Sequence, residues 1–175
     1  MVVMTAPTPV HVPVLLNESL QLLDVREGGV YIDCTTGLGG HSSAIAGRMG
    51  ETGRLLCLDQ DREALEFARA KLAPFGRRVS FVHANFRELA DVAKREGFQA
   101  ADGILMDLGI SSFQIGEPRR GVAFALEGPL DMRMDPGSGG ITAEEIVNTW
   151  DETSLADLFF ELGEERQSRR IARAI

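Results

Sequence analysis

Short apolar runs alternate with longer stretches in which apolar residues recur every three or four positions. The apolar runs predict four β-strands, over residues 30–33, 54–59, 79–83 and 103–108. The other stretches predict helices over residues 15–23, 41–49, 62–72 and 86–96. Regular alternation with short connections favours an α/β fold, built on a parallel sheet with right-handed crossovers.

The alternation ends at Gly109. Residues 109–141 are rich in glycine and proline and show no sustained period, which is typical of functional or disordered connections. Apolar side chains within it favour an ordered segment: Phe113, Phe124, Leu126, Leu130, Met132 and Met134. Helical spacing then returns and predicts three helices, over residues 143–150, 153–162 and 164–175. Thr142 and Glu145 fit a capping box at the start of the first of these.

The number of predicted strands is lower than a complete domain of this class would have. A doubly wound sheet normally has five or more strands, and only four precede the helical region. The last helix also runs to the final residue without a cap. We therefore expect this chain to be a fragment of a longer one.

Residues 33–40 read Asp-Cys-Thr-Thr-Gly-Leu-Gly-Gly and join the first strand to its helix. Such a turn can cradle a nucleotide, because glycine permits positive φ and the helix start offers free N–H groups. A dinucleotide site would place a third glycine where Ser42 stands. An acid, then a small residue and two spaced glycines favour S-adenosylmethionine (SAM) instead, and Asp33, Thr35, Gly37 and Gly39 fit that order. An ordinary strand–helix turn is the alternative.

Acidic residues mark the ends of other strands as well. Asp59 ends the second strand, where a carboxylate can accept both hydroxyls of a ribose. Asp107 lies near the end of the fourth strand. Parallel strands bring their carboxyl ends to one edge, so we expect Asp33, Asp59 and Asp107 to line a common crevice. Asp61 is interpreted as the N-cap of the next helix.

Composition limits the kinds of ligand, cysteine chemistry and cellular location that the chain can have. The chain has 18 basic and 26 acidic residues and a net charge of −8, so its overall charge does not attract nucleic acid. RNA contact would need a local cluster, such as Arg119-Arg120 or the stripe Arg166, Arg169, Arg170 and Arg173, which is otherwise a solvated face. The two cysteines indicate core residues in a reducing compartment, not a disulfide or metal site. No secretion signal or long apolar run is found, so a cytoplasmic location is expected.

Several separated segments together resemble one family. They are 11–18 (His-Val-Pro-Val-Leu-Leu-Asn-Glu), 31–33 (Tyr-Ile-Asp), 39–42 (Gly-Gly-His-Ser), 58–61 (Leu-Asp-Gln-Asp), 102–112 (Asp-Gly-Ile-Leu-Met-Asp-Leu-Gly-Ile-Ser-Ser) with Gln114, 128–135 (Gly-Pro-Leu-Asp-Met-Arg-Met-Asp), 163–165 (Gly-Glu-Glu) and 170–175 (Arg-Ile-Ala-Arg-Ala-Ile). On these segments the chain resembles the bacterial small-subunit ribosomal RNA (cytosine-N4)-methyltransferases, the RsmH or MraW family. It departs at Phe113, where many relatives have proline, and at Val122-Ala123, where Phe-Ser is usual.

The resemblance implies a Rossmann-like, SAM-dependent methyltransferase fold interrupted by a mostly helical insert domain. Residues 1–112 would be the N-terminal part of the methyltransferase domain, with only the first four strands of its parallel sheet. Residues 113–175 would be the long ordered connection and the start of the insert, with the rest of the domain absent. The implied activity is N4-methylation of a cytidine in 16S ribosomal RNA of the small ribosomal subunit.

The resemblance also implies the site. Cofactor contacts carry over to Gly39, Gly40, His41, Asp59, Phe86, Asp107 and Gln114. We expect Asp107 to align the cytosine amine as the catalytic residue, assisted by Ser111, for which turn capping is the alternative. Taken alone, a helix-start histidine such as His41 is more often structural, and Phe86 would be a core residue.

Other functions and states stay open at this stage. The chain could be a SAM-dependent methyltransferase acting on DNA, protein or a small molecule, or a SAM-binding regulator or inactive fragment. An NAD-dependent oxidoreductase is disfavoured by Ser42 and by the upstream Asp33. A homodimer is among the states left open.

Overall fold

The computed structural model describes residues 13–175, so His11 and Val12 of the first segment that carries the resemblance lie outside the described residues. The chain forms two compact units. The first extends to Phe113, and the second runs from Gln114 to Ile175.

The first unit is built on a four-stranded sheet. Its strands are β1 (Val30–Asp33), β2 (Arg54–Asp59), β3 (Val79–His83) and β4 (Gly103–Leu105). The spatial order is β3-β2-β1-β4 and every neighbouring pair is parallel, as the alternation of elements predicted. The strand predicted over 103–108 is shorter than expected, because the ladder ends at Leu105.

Helices cover both faces of this sheet. They are α1 (Leu16–Leu22), α2 (Gly40–Arg48), α3 (Arg62–Leu72) and α4 (Leu89–Arg95). Because strand side chains alternate, Tyr31, Leu55 and Cys57 pack with α1, α2 and α3 on one face. Ile32, Leu56 and Leu58 pack with α4 on the other. This is the doubly wound, Rossmann-like arrangement, and the direction of winding reverses between β1 and β4.

Local sequence explains how the helices start. Asp61 caps α3, as predicted, by accepting hydrogen bonds from the backbone N–H groups of Glu63 and Ala64. The helix predicted over 86–96 is divided, because residues 86–88 form a 3₁₀ turn before α4 begins. Asn85 caps that turn by accepting a hydrogen bond from the N–H of Arg87.

The second unit is helical. It contains α6 (Ala143–Thr149), α7 (Glu152–Glu161) and α8 (Ser168–Ala174), while the short α5 (Ser112–Ile115) spans the boundary between the units. Thr142 and Glu145 form the predicted capping box of α6. Leu155, Ala156 and Ala172 are the buried residues of the small cluster that joins α7 to α8. That these helices begin an insert within a larger domain stays a prediction.

Two segments of the connection before α6 pack against each other at two glycines. The N–H of Met132 donates to the carbonyl of Arg120 at 2.9 Å. A Cβ on Gly121 would lie 2.0 Å from the Pro129 oxygen, and one on Gly128 would lie 2.0 Å from the Pro118 oxygen. Segments 118–121 and 128–132 therefore approach each other so closely that neither glycine can carry a side chain.

Both cysteines are free and buried, as the sequence predicted. Burial raises the pKa of the Cys34 thiol to about 11 and that of the Cys57 thiol to about 12, so neither ionises near neutral pH. Over residues 13–175, no helix is both long and apolar enough to cross a membrane.

Candidate functional site

The carboxyl edge of the sheet gathers acidic side chains from three neighbouring strands. Asp33 is the last residue of β1 and Asp59 the last of β2. Asp107 lies two residues beyond the end of β4, on the other side of the point where the winding reverses. Ligands of doubly wound folds bind at this edge, beside such a reversal.

Asp33 does not face a crevice. The residue is 0% exposed, because its side chain lies on the Tyr31 face of β1, under α2. One carboxylate oxygen accepts a hydrogen bond from the Ser42 hydroxyl at 2.6 Å, and the other accepts from the N–H of Thr35 at 3.1 Å. Burial raises the pKa of Asp33 to about 6. The expectation that all three strand-end acids line the crevice is therefore wrong for Asp33, which holds the turn together.

Asp59 is held in place by the glycine turn. Its Oδ2 accepts from the N–H of Gly37 at 2.6 Å, and its Oδ1 accepts from the N–H of Asp61 at 2.8 Å. Burial raises the pKa of Asp59, while these two hydrogen bonds oppose the rise. Each carboxylate oxygen keeps a second lone pair, so Asp59 can still accept two hydroxyl groups.

The glycines of the turn serve the packing of the chain. Gly39 adopts φ +75° at the N-cap of α2, and a Cβ there would lie 3.1 Å from the Cβ of Ala68. A Cβ on Gly40 would lie 2.4 Å from Pro13. The close approach of α3 to Gly39 and of Pro13 to Gly40 therefore explains both glycines without a ligand. At Gly37 the nearest atom to an added Cβ is 3.9 Å away, so this glycine leaves open space.

His41 and Asp107 face each other across the same edge. The His41 Nδ1 lies 3.8 Å from a carboxylate oxygen of Asp107, and Nε2 lies 3.1 Å from the carbonyl oxygen of Val14. His41 is buried, whereas the Asp107 side chain is 49% exposed. His41 thus has the structural role that a helix-start histidine suggests and also neighbours the exposed acid.

Phe86 lies in the loop after β3, which contacts the loop after β2. The N–H of Ala84 donates to the Asp59 carbonyl at 3.1 Å, and Asn85 donates to the Gln60 side chain at 2.6 Å. These bonds fix the loop after β3 against the loop after β2. Phe86 is 37% exposed and is not one of the fully buried core residues.

Two predicted residues lie further along the chain. Ser111 is half-buried in the connection between β4 and α5. Gln114 is buried and is the first residue of the second unit. The structure thus assembles Gly39, Gly40, His41, Asp59, Phe86 and Asp107 at one edge of the first unit, and Gln114 belongs to the other unit.

Three residues that support this edge were not among the predicted contacts: Thr35, Gly37 and Ser42. The signal for Ser42 was available, since a hydroxyl in the third glycine position can donate to a buried acid. Thr35 and Gly37 act through contacts between loops: the Thr35 hydroxyl accepts from the backbone N–H of Asp107 at 2.7 Å, and the backbone N–H of Gly37 donates to the Asp59 carboxylate. Sequence spacing does not reveal such contacts.

The arrangement suits binding more than bond-breaking by the protein. Asp59 offers hydrogen-bond acceptors, Phe86 an aromatic face and Asp107 an exposed carboxylate. Both thiols are buried and protonated, so neither is a nucleophile. Among residues 13–175, no three His, Cys, Asp or Glu side chains are grouped as a metal site. An acceptor for a ribose, an aromatic face for a base and a carboxylate for a cation fit an adenosine that carries an amino acid.

Similarity to solved structures is weak. A SAM-dependent O-methyltransferase from Thermotoga maritima is 25% identical in sequence to the chain over 46% of this chain and 31% of its own, with a TM-score of 0.41. A similarity that low carries no argument about function.

Sequence similarity is far stronger. Ribosomal RNA small subunit methyltransferase H from Syntrophobacter fumaroxidans is 52% identical over 97% of this chain and 53% of its own length. The protein of the same name from Symbiobacterium thermophilum is 52% identical over 94% of this chain and 52% of its own. The chain thus spans about half the length of the curated relatives it matches. The model of the MraW methylase family matches residues 8–175, and the chain therefore belongs to that family.

Proposed function

We propose that this chain carries the cofactor site of a SAM-dependent methyltransferase that methylates the N4 of a cytidine in small-subunit ribosomal RNA. The observation that carries the proposal is the pair Asp59 and Asp107. The first is held by the glycine turn and the second is exposed across the winding reversal. The names of the relatives support ribosomal RNA as the substrate.

The residues present fit SAM by the chemistry of their groups. The free lone pairs of Asp59 suit the two ribose hydroxyls, and the half-exposed Phe86 ring suits the adenine face. The Asp107 carboxylate suits the ammonium group of the methionine portion. Bound SAM supplies an electrophilic methyl group on its sulfonium. A cofactor contact from Gln114 stays a prediction of the resemblance.

The substrate amine needs alignment more than activation by a strong base. The exocyclic nitrogen of cytosine is a weak nucleophile because its lone pair is delocalised into the ring. An acceptor that binds one of its N–H groups localises that pair and fixes the line of approach. Asp107 has an exposed carboxylate that can do this, and the half-buried Ser111 hydroxyl lies four residues further along. The base must first leave its stack to reach such a site.

Calorimetric titration separates the ligand classes. We expect the chain to bind SAM and not NAD, and Asp59→Asn to weaken SAM binding by about tenfold, because the amide presents one acceptor oxygen instead of two. Binding of NAD in preference to SAM would contradict the proposal. Tight SAM binding without transfer to any RNA would favour a SAM-binding regulator or inactive fragment.

The role of Asp107 is tested by turnover. Asp107→Ala should abolish methylation of small-subunit RNA, measured as N4-methylcytidine by mass spectrometry of digested nucleosides. If turnover persists and only SAM affinity falls, the aligning role is wrong. Methylation of DNA, protein or a small molecule in place of the RNA would replace the proposed substrate.

An RNA contact is proposed for the arginines near the C-terminal helix. Arg166, Arg169, Arg170 and Arg173 are all exposed, although Arg166 precedes α8 and Arg173 pairs with Glu152 at 3.2 Å. Phosphates bind such clusters and release counterions. Since the RNA is part of the small ribosomal subunit, the proposal also places the protein in the cytoplasm.

Salt dependence tests that contact. Charge reversal of Arg169 and Arg170 should lower the slope of log affinity against log salt by about 0.7 to 0.9 for each phosphate that the protein no longer neutralises. Arg48→Glu, an exposed position at the end of α2, is the matched control. An unchanged slope would remove these arginines from the interface.

A further inference from the structure

Asp107 lies outside the sheet ladder. The last ladder bond near it joins the N–H of Cys34 to the carbonyl of Leu105 at 2.9 Å. Two residues later, the backbone N–H of Asp107 donates to Oγ1 of Thr35 at 2.7 Å. A side-chain hydroxyl of the glycine turn therefore fixes the backbone from which the exposed carboxylate projects.

Thr35 is itself held by the buried acid. Its N–H donates to Asp33, and Asp33 also accepts from Ser42 in α2. The order of contacts is thus Ser42, Asp33, Thr35 and Asp107. This series crosses the winding reversal and links the helix after β1 to the loop after β4.

We propose that Thr35 is a positioning residue that sets the Asp107 carboxylate for SAM. The inference rests on the proposed function, because it concerns the same site. Thr35 is only half-buried. Loss of its hydroxyl should therefore affect the site more than the folding of the sheet.

Thr35→Val keeps the shape of the side chain but removes the acceptor. The expected result is SAM binding about tenfold weaker by calorimetry, and faster hydrogen exchange at the Asp107 amide by a similar factor. Thr35→Ser restores the hydroxyl and should return both values to within about twofold. Should the valine variant fold poorly by circular dichroism, Thr35→Ala compared with Thr35→Ser makes the same test.

Thr36→Val is the matched control. The Thr36 hydroxyl donates to the backbone carbonyl of Asp33 at 3.3 Å and does not contact Asp107. Its loss should leave SAM affinity within about twofold.

A double substitution separates positioning from direct binding. If Thr35 acts only through Asp107, adding Thr35→Val to Asp107→Ala should weaken SAM binding no further. Additive losses, or a Thr35→Val variant that binds SAM as tightly as the unaltered chain, would overturn the role of Thr35 alone. Failure of the unaltered chain to bind SAM would overturn the proposed function and the role of Thr35 together.

Discussion

The two units of this chain are stabilised in different ways. The first buries most of β1 and β2, and Leu55, Leu56 and Leu58 of β2 have no exposed surface. The second has a cluster of only three buried residues, two of which are alanines. Its other support comes from helix caps, the Asp131–Arg133 ion pair and close glycine contacts. The first unit should therefore depend on apolar burial, and the second on local backbone geometry.

The same substitution in both cores should show the largest difference. Leu56→Ala should destabilise the first unit by about 4 kcal/mol, because the residue is enclosed between two strands. Leu155→Ala should destabilise the second by about 2 kcal/mol, because a small cluster collapses more easily around the gap. Denaturant unfolding measures both.

The chain provides separate probes for this test. Tyr31, its one tyrosine, is buried in the first unit, and Trp150, its one tryptophan, lies in the second. Tyrosine absorbance and tryptophan fluorescence can therefore be followed in the same titration. Coincident transitions shifted equally by both variants would contradict independent stabilisation of the units.

Acidity should affect the first unit through Asp33. Its pKa is about 6 in the folded chain, above the ordinary aspartate value of 3.8, so the folded state binds the proton more tightly than the unfolded state. The free energy of unfolding should therefore fall by about 2 kcal/mol as pH rises from about 4 to about 6, and by about 3 kcal/mol over the whole titration. The raised pKa of Asp59 adds an effect of the same sign.

Asp33→Asn isolates this contribution. The amide has nearly the same shape but does not titrate, so the variant should lose most of the fall in stability over that pH range. The comparison uses tyrosine absorbance at each pH. A variant that keeps the full pH dependence would assign it to other groups.

A glycine substitution should act on the second unit by a different route. Gly121 has φ +66°, and a Cβ there would collide with the Pro129 oxygen. Gly121→Ala should cost about 2 kcal/mol in tryptophan-detected unfolding while leaving the tyrosine transition unchanged. Gly137→Ala is the control, since its Cβ would meet only the movable end of the Asp135 side chain. Equal effects of the two would argue against the close contact.

The smallest effect is expected at a helix start. Thr142→Ala removes the capping box of α6 and should cost about 1 kcal/mol, whereas Thr142→Ser keeps the hydroxyl and should cost less. The tryptophan-detected midpoint again measures the change. No difference between alanine and serine here would mean that the cap does not limit the stability of this unit.

Much of the first unit could be predicted, because its apolar runs have the same length as the strands that they form. The strands at 30–33, 54–59 and 79–83 match the structure. The fourth strand was predicted too long, since Met106 and Leu108 are apolar but exposed beyond the ladder. The helix predicted from residue 164 begins at Ser168, because Glu164 adopts φ +51°.

The site was harder to predict than the fold. Side-chain type suggested that Asp33, Asp59 and Asp107 were equivalent, yet burial separates the first from the other two. The pattern of β1 does not reveal this difference, because both faces of that strand are buried. The contact of Thr35 with the Asp107 amide depends on how two loops meet, which no local pattern encodes.

The bonds that Asp59 accepts from Gly37 and Asp61 have a consequence for ligand affinity. Folding already selects the rotamer of this carboxylate, so an arriving nucleoside does not have to immobilise it. The entropy of ordering that side chain, up to about 1 kcal/mol for a flexible group, is then absent from the free energy of association. Preorganisation of this kind lets a few hydroxyl contacts hold a small polar molecule.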